Sequence, residues 1–326
     1  MRIRSTVFTL GAVFFAVCIS VEAQQLKVPR VGYLSGSSPS ADAMRHKAFR
    51  QGLRELGYVE GESIAIEWRF AEGKLGRFSD LANDLVRLNV DVIVTGGSGA
   101  TRIAKGATNT IPIVMAQDSN PIGDGFVASL ARPGGNITGL TNVSSEVSGK
   151  RLELLTEIVP KLSRVTVLGN STNPANPLAL NETQDAAQAL GLKLEFLEMQ
   201  NAKDVEHVFK AAAKARSQAL LTLQNPLSGI HEKKIVELAA KYQLPAMYHR
   251  REFVEAGGLM FYGTDAIDLH RRTAIFVDKI LKGARAAELP IEQPTKFELV
   301  INLKTAKQIG VTIPPNLLAR ADRVIK

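Results

Sequence analysis

From Arg30 onward, short apolar runs alternate with helical stripes, and the whole order is written twice. In the first copy residues 31–34 read as a buried strand. Met44, Ala48, Phe49, Leu53 and Leu56 mark one helix face, which Gly57 ends. Residues 64–70 form a second strand, and Phe78, Leu81, Leu85 and Leu88 recur at helical spacing. Residues 91–95 are a third strand closed by Gly96-Gly97-Ser98-Gly99, and after a short helix residues 111–116 are a fourth. After Pro160 the series restarts: strand 164–168, polar loop 170–177, a helix through 186–190, strand 192–199, helix 205–215, strand 218–223, helix 232–242 and strand 244–248. Punctuation repeats with it, Leu56-Gly57-Tyr58 against Leu190-Gly191-Leu192 and Ile111-Pro112 against Leu244-Pro245.

Strand–helix alternation builds parallel sheets covered by helices on both faces. Two copies therefore predict two similar doubly wound α/β lobes. Such sheets bind ligands beyond the carboxyl ends of their strands. Here those ends are small polar loops: 35–40, 96–99, 117–121, 170–176, 224–225 and 248–250. Two lobes face to face would put these loops on opposite walls of a cleft suited to a small molecule. Beyond the repeat, Leu269, Thr273, Phe276 and Ile280 form another helix stripe ended by Gly283. Residues 297–301 are a late strand, a short helix closes at Gly310, and Pro314-Pro315 leads into the C-terminal segment.

The segment ahead of the repeat reads as an address. Arg2 and Arg4 precede an uncharged apolar run of fourteen residues, 7–20, and Val21-Glu22-Ala23 offers a small-residue cleavage site. That is the layout of a secretory signal, with cleavage after Ala23 and a periplasmic destination. The run is shorter than the roughly 20 residues that span a bilayer. Cleavage removes Cys18, the single cysteine, so no disulfide or thiol chemistry is expected of the mature chain. It also removes Arg2, Arg4 and Glu22, taking the net charge from +8 to +7.

No catalytic motif survives weighing. The histidines His46, His207, His231, His249 and His270 form no HExxH pattern, and no Gly-x-Ser-x-Gly elbow is present. Neither a metal nor a cofactor is expected. Gly96-Gly97-Ser98-Gly99 lacks the Gly-Lys-Ser/Thr of a phosphate loop but could hold an anion on its backbone N–H groups. The positive charge is spread out. Its densest clusters, His249-Arg250-Arg251 and His270-Arg271-Arg272, are not interleaved with aromatics, so no nucleic-acid partner is expected.

Four longer stretches carry a resemblance: VASLARPGGNITGL at 127–140, EAGGLMFYG at 255–263, KILKG at 279–283 and LPIEQPTKFELVINLKTA at 289–306. With them the mature chain resembles the substrate-binding proteins of a bacterial ABC transporter family, the TrpX-like group with a type I periplasmic-binding-protein fold. The resemblance implies three crossings between the lobes, with an N-lobe of 28–140 plus 263–290 and a C-lobe of 141–262 plus 291–326. It also implies closure around a ligand, which an ABC permease with its ATPase at the inner membrane would sense. Some members bind aromatic amino acids. The family often shows Gly-Asp-Pro after the fourth strand, where this chain has Ser119-Asn120-Pro121 with Asp118 two positions earlier. Either Asp118 supplies the missing charge or the ligand lacks an amine.

The expected function is that of a periplasmic solute receptor, working as a monomer, for a small polar or amphipathic ligand such as an amino acid or related carboxylate. Ser37, Ser38, Gly97 and Ser98 would hold its anionic or polar end through hydroxyls and N–H groups. Asn120, Asn170, Asn173 and Asn225 would hydrogen-bond the other side, Tyr248 or Tyr262 would stack on an apolar part, and Arg250 would pair a carboxylate. The rivals are an exported sensor feeding a membrane receptor and an exported enzyme on the same architecture. The second is disfavoured by a cleft of Ser, Asn and Gly.

Overall fold

A computed structural model describes residues 28–326; the expected export signal, 1–23, lies outside the described residues. The first series runs β1 (Arg30–Ser35), α1 (Ala43–Glu55), β2 (Ala65–Phe70), α2 (Phe78–Arg87), β3 (Val92–Thr95), α3 (Ser98–Ala107), β4 (Ile113–Asp118) and β5 (Ile137–Thr141). The second runs α4 (Ser148–Ile158), β6 (Arg164–Gly169), α5 (Asn176–Ala189), β7 (Lys193–Glu198), α6 (Asp204–Lys214), β8 (Ala219–Thr222), α7 (Pro226–Ile230), α8 (Glu232–Lys241), β9 (Ala246–Tyr248), α9 (Glu252–Glu255) and β10 (Met260–Gly263). The chain finishes with α10 (Ala266–Leu281), β11 (Glu298–Asn302), α11 (Leu303–Gln308), α12 (Pro315–Ala319) and β12 (Arg323–Ile325).

The duplication is visible in the sheets. One has the order β2-β1-β3-β4-β5, and the other contains β7-β6-β8-β9-β10, the same order one copy later, extended by β11 and β12. Among the described residues all strand pairings are parallel except β10 with β11. The described residues therefore form two parallel-sheet α/β lobes, the second carrying one antiparallel addition. Strands buried on both faces read as continuous apolar runs, which is why β1, β3, β6 and β8 were legible from composition alone.

The first lobe packs β1 against α1 and α10 through Val31, Tyr33, Phe49, Leu53, Phe276 and Val277. Helix α10 comes from the far end of the chain, and it lies unusually close to α1. A Cβ at Gly52 would meet the Arg271 carbonyl oxygen at 2.1 Å, so only glycine fits there. The second lobe packs α4 onto its sheet through Leu152, Leu155, Val165, Val167 and Ile301. Among the described residues the chain passes between the lobes three times: from β5 into α4, from β10 into α10, and after Ile291 on the way to β11. Among the described residues no helix is long and apolar enough to cross a membrane.

Some elements lie where the pattern was unreadable. The segment expected to be loop through Pro177 already turns helical at Asn176, because α5 opens with Asn176-Pro177 and exposes a polar face. Pro at the first turn suits a helix start, since its missing N–H would lack a partner there anyway. Strands β5 and β10 and helices α4 and α7 were not marked.

Candidate functional site

The carboxyl ends of both sheets face each other across a cavity of about 330 Å³. The first lobe contributes Ser35-Gly36-Ser37 at the end of β1 and just beyond it, Gly96–Gly99 ahead of and into α3, and Gln117 near the end of β4. The second contributes Asn170 and Asn173 after β6, Gln224 and Asn225 after β8, and His249 to Glu252 after β9. The crossing segments supply Asn142, Ser144, Thr264 and Asp265, and α4 supplies Arg151. Phe78, Ile103, Leu227, Phe261 and Ile267 make an apolar part of the wall.

On the first lobe the groups are short and partly free. Ser35 Oγ donates to Asp42 Oδ2 (3.1 Å) and accepts from the Ser37 amide (3.1 Å). The Ser37 hydroxyl is buried with no hydrogen-bond partner among the described residues. Gly97, at φ +142°, takes a conformation that side chains resist and swings the chain into α3. The first N–H groups of a helix lack intrahelical acceptors, and the start of α3 forms part of the cavity wall. Ser98 Oγ is used, accepting from the Ser119 amide (3.3 Å).

On the second lobe most amide side chains hold their own loops. Asn173 and Asn176 both donate to the Gln224 carbonyl, at 2.8 and 2.7 Å. Asn225 caps α7 by accepting from the Leu227 amide (3.0 Å) and donates to the Met199 carbonyl (2.8 Å). Asn170 Oδ1 accepts from the Thr172 amide and hydroxyl (3.0 and 2.7 Å).

Across the mouth, buried charges join the lobes. Arg250 Nη2 donates to Asp42 Oδ1 (3.2 Å), the Ala41 carbonyl (3.0 Å) and Glu252 Oε1 (3.2 Å). Arg45 Nε donates to Glu252 Oε1 (3.1 Å). Burial would raise both carboxyls, but the two guanidiniums override it and hold Asp42 and Glu252 below the usual carboxylate range. Ser119 Oγ donates to Gln224 Oε1 (2.9 Å), a further bond between lobes. Burial, with Arg250, Arg151 and Arg45 nearby, keeps His249 neutral.

Seven expected residues thus come together on the cavity wall: Ser37, Gly97, Ser98, Asn170, Asn173, Asn225 and Arg250. Four do not. Ser38 turns to Ser40 and the Ala41 amide ahead of α1. Asn120 accepts from the Gly123 amide (3.0 Å) and closes its own turn. Tyr248 is buried under the sheet, stacked on Phe253 at 4.7 Å between centroids. Tyr262 stacks on Phe297 at 5.9 Å, and strand alternation gives the cavity its neighbour Phe261 instead. Arg250 also differs from expectation, because its Nη2 is committed to Asp42 and Glu252.

Asp118 is outside the wall as well. Both carboxyl oxygens lie buried without hydrogen-bond partners among the described residues. Neighbouring Thr101 shares its hydroxyl with Thr95 (2.6 Å) and the Gly97 carbonyl (3.4 Å). Burial pushes the Asp118 carboxyl up to about 8, so it is largely uncharged at neutral pH. Neither Asp118 nor Asn120 brings a charge to the cavity; the carboxylates on its wall are Asp42, Glu252 and Asp265, a source of negative charge outside the either-or drawn from the sequence. Sequence reasoning also missed Arg45 and Arg151. The signal for Arg151 was a lone arginine on an otherwise small and apolar helical stripe, Ser148, Arg151, Leu155 and Ile158.

Two similar α/β lobes thus close over a cavity at their strand ends, an arrangement suited to enclosing a small molecule. The model of the ABC transporter substrate binding protein family matches residues 35–325, and the chain belongs to that family. It is similar to the "Tyrosine-binding protein" of Clostridioides difficile (strain R20291), at 24% identity over 273 residues, 84% of this chain and 78% of the relative. Among solved structures it is similar to an ABC domain in complex with L-Trp from Streptococcus pneumonia, at 25% identity and TM-score 0.83, covering 91% of this chain and 99% of that one. It is also similar to a conserved domain protein of Vibrio cholerae O1 biovar El Tor, at 26% identity and TM-score 0.86, covering 91% and 100%.

Proposed function

We propose that the protein is a periplasmic receptor that captures an amino acid with an aromatic side chain and presents it to an ABC permease with its ATPase. The observation that carries the reading is the cavity itself, closed between lobes and walled by polar strand-end groups on one side and Phe78, Ile103, Leu227 and Phe261 on another. That division suits an amphipathic solute, and the volume is at the small end of ligand pockets, which run from about 300 Å³ upward. The tyrosine- and tryptophan-binding relatives point to the same ligand class. Residues 28–140 with 263–290, and 141–262 with 291–326, would move as two bodies about the crossings, and the closed form would be what the permease reads. The receptor would work as a monomer after cleavage at Ala23 and leave its ligand chemically unchanged.

The test is a thermal-shift and calorimetry panel on the mature protein with L-tryptophan, L-tyrosine, L-phenylalanine, aliphatic amino acids, nucleosides and sugars. A ligand at a hundred times its Kd stabilises by about 2.7 kcal/mol, several degrees in Tm for lobes of this size. Aromatic amino acids should give the largest shift. A shift produced by sugars alone, or conversion of the stabilising compound during incubation, would overturn the proposal.

A further inference from the structure

We infer that Arg151 is the group that receives the ligand's carboxylate. The inference deepens the receptor reading and rests on it. Arg151 projects from α4 into the cavity wall and is only 2% exposed. Its hydrogen bonds go to neutral acceptors: Nε to the Tyr262 carbonyl (2.7 Å), Nη1 to the Ser144 carbonyl (3.1 Å) and to Ser144 Oγ (3.1 Å). Nη2 has no protein acceptor, and no carboxylate lies within 4.0 Å of the guanidinium, among the described residues.

The other arginines of the wall differ. Arg45 and Arg250 share Glu252, Arg251 meets Asp265 (3.3 Å) and Glu298 (3.0 Å), and Arg102 faces Asp124 at 3.9 Å. Arg151 alone among them is a buried cation without a counter-ion. Burial lowers it to about 10, which still leaves it charged at neutral pH. An uncompensated buried charge is strongly unfavourable, and the guanidinium fork matches a carboxylate's two oxygens. The space beside it is the cavity, so the missing anion is one the ligand brings.

The bonds Arg151 already makes suggest a competing, purely structural role. Ser144 belongs to the first crossing and Tyr262 immediately precedes the second, so the guanidinium also ties two hinge segments. A tie of that kind would weaken binding of every ligand alike, whereas a carboxylate receptor discriminates acid from amide.

The experiment therefore compares L-tryptophan and L-tyrosine with their carboxamides, by calorimetry on the mature protein and on Arg151→Gln and Arg151→Lys. Wild type should prefer acid over amide by about 100-fold, as expected for a hydrogen bond to a charged group in a buried site. Arg151→Gln should reduce that preference to below about 10-fold, and Arg151→Lys should keep part of it. Equal binding of acid and amide by wild type overturns the inference without any variant, so a misfolded Arg151→Gln does not rescue it. Unchanged preference in Arg151→Gln overturns it too, while leaving the amino-acid reading intact. If none of the four compounds binds, the aromatic reading fails. A panel of organic acids against their amides then decides for Arg151, and no acid preference there overturns it.

Discussion

The two walls of the cleft come from the two copies of one unit, yet they use their polar groups in opposite ways. The first lobe offers short side chains and backbone: Ser37 with a free hydroxyl, Gly97 at a turn, and the start of α3. The second offers longer side chains, but Asn173, Asn176 and Asn225 are bonded into their own loops. The contrast continues at corresponding strands. The end of β9 carries Tyr248, its ring stacked on Phe253, whereas the end of β4 carries Asp118 with both oxygens without a hydrogen-bond partner among the described residues. Apart from Arg151 on α4, the second wall spends its amide side chains on its own shape, while the first keeps the Ser37 hydroxyl and the start of α3 available to a ligand.

Breaking the charges that join the walls should have the largest effect. Arg250→Met leaves Asp42 with Arg45 at 3.8 Å as its remaining cation. Removing one member of a buried pair costs about 3–5 kcal/mol when the charges stay buried. Here opening the lobes rehydrates them, so the loss falls on closure. Ligand affinity should drop by about 100-fold, and small-angle scattering should show a more open ligand-free protein. Wild-type affinity in the variant would mean that the charges do not govern closure.

A smaller effect is expected from Asp118, read through pH. Its folded pKa is raised, from 3.8 to about 8, so the folded state holds a proton that the unfolded chain has released. That contribution is complete below about pH 4 and is lost as pH rises toward 8, at up to about 1.4 kcal/mol per pH unit. Asp118→Asn lacks it, so the Tm of the variant should gain on wild type from pH 5 to pH 8 and stop gaining above. Parallel Tm curves across that range would show that Asp118 is not held neutral.

The smallest effects separate the walls directly. Asn225→Ala should lower Tm of the ligand-free protein through a lost helix cap, about 1 kcal/mol. Ser37→Ala removes a hydroxyl with no protein partner, so Tm should hold while ligand affinity weakens, also by about 1 kcal/mol. The reverse pattern in calorimetry and melting would undo the comparison between walls.

Much of the fold could be read because buried parallel strands are continuous apolar runs, and the strands of the central order in both lobes announced themselves that way. Strand β5, with Gly139 and threonines among its five residues, has no such run. Gly139 is needed because a Cβ there would meet the Met115 carbonyl oxygen at 2.2 Å, a tertiary fact invisible to periodicity. The site was legible as a set of loops, since strand ends must carry them. Which donors in those loops remain free was not legible. Asn173 and Ser37 look equally available in one dimension, and only the fold shows that the first is spent on Gln224 and the second is not. The ion pairs joining the walls escaped for the same reason, because Asp42 and Arg250 are far apart in the chain.

Helix α10 has a consequence for how such a chain acquires its structure. It supplies Leu269, Ala274, Phe276, Val277 and Ile280 to the core beneath β1 and α1, and Gly52 is shaped to its backbone. A chain emerging N-terminus first therefore exposes an unfinished sheet until about residue 281 has appeared. The first lobe, though begun first, can be completed only after the strands β6 to β10 of the second have appeared. Expressing residues 28–141 alone would yield an apolar face without its cover, so the first half repeats the topology of the second without being an independent folding unit.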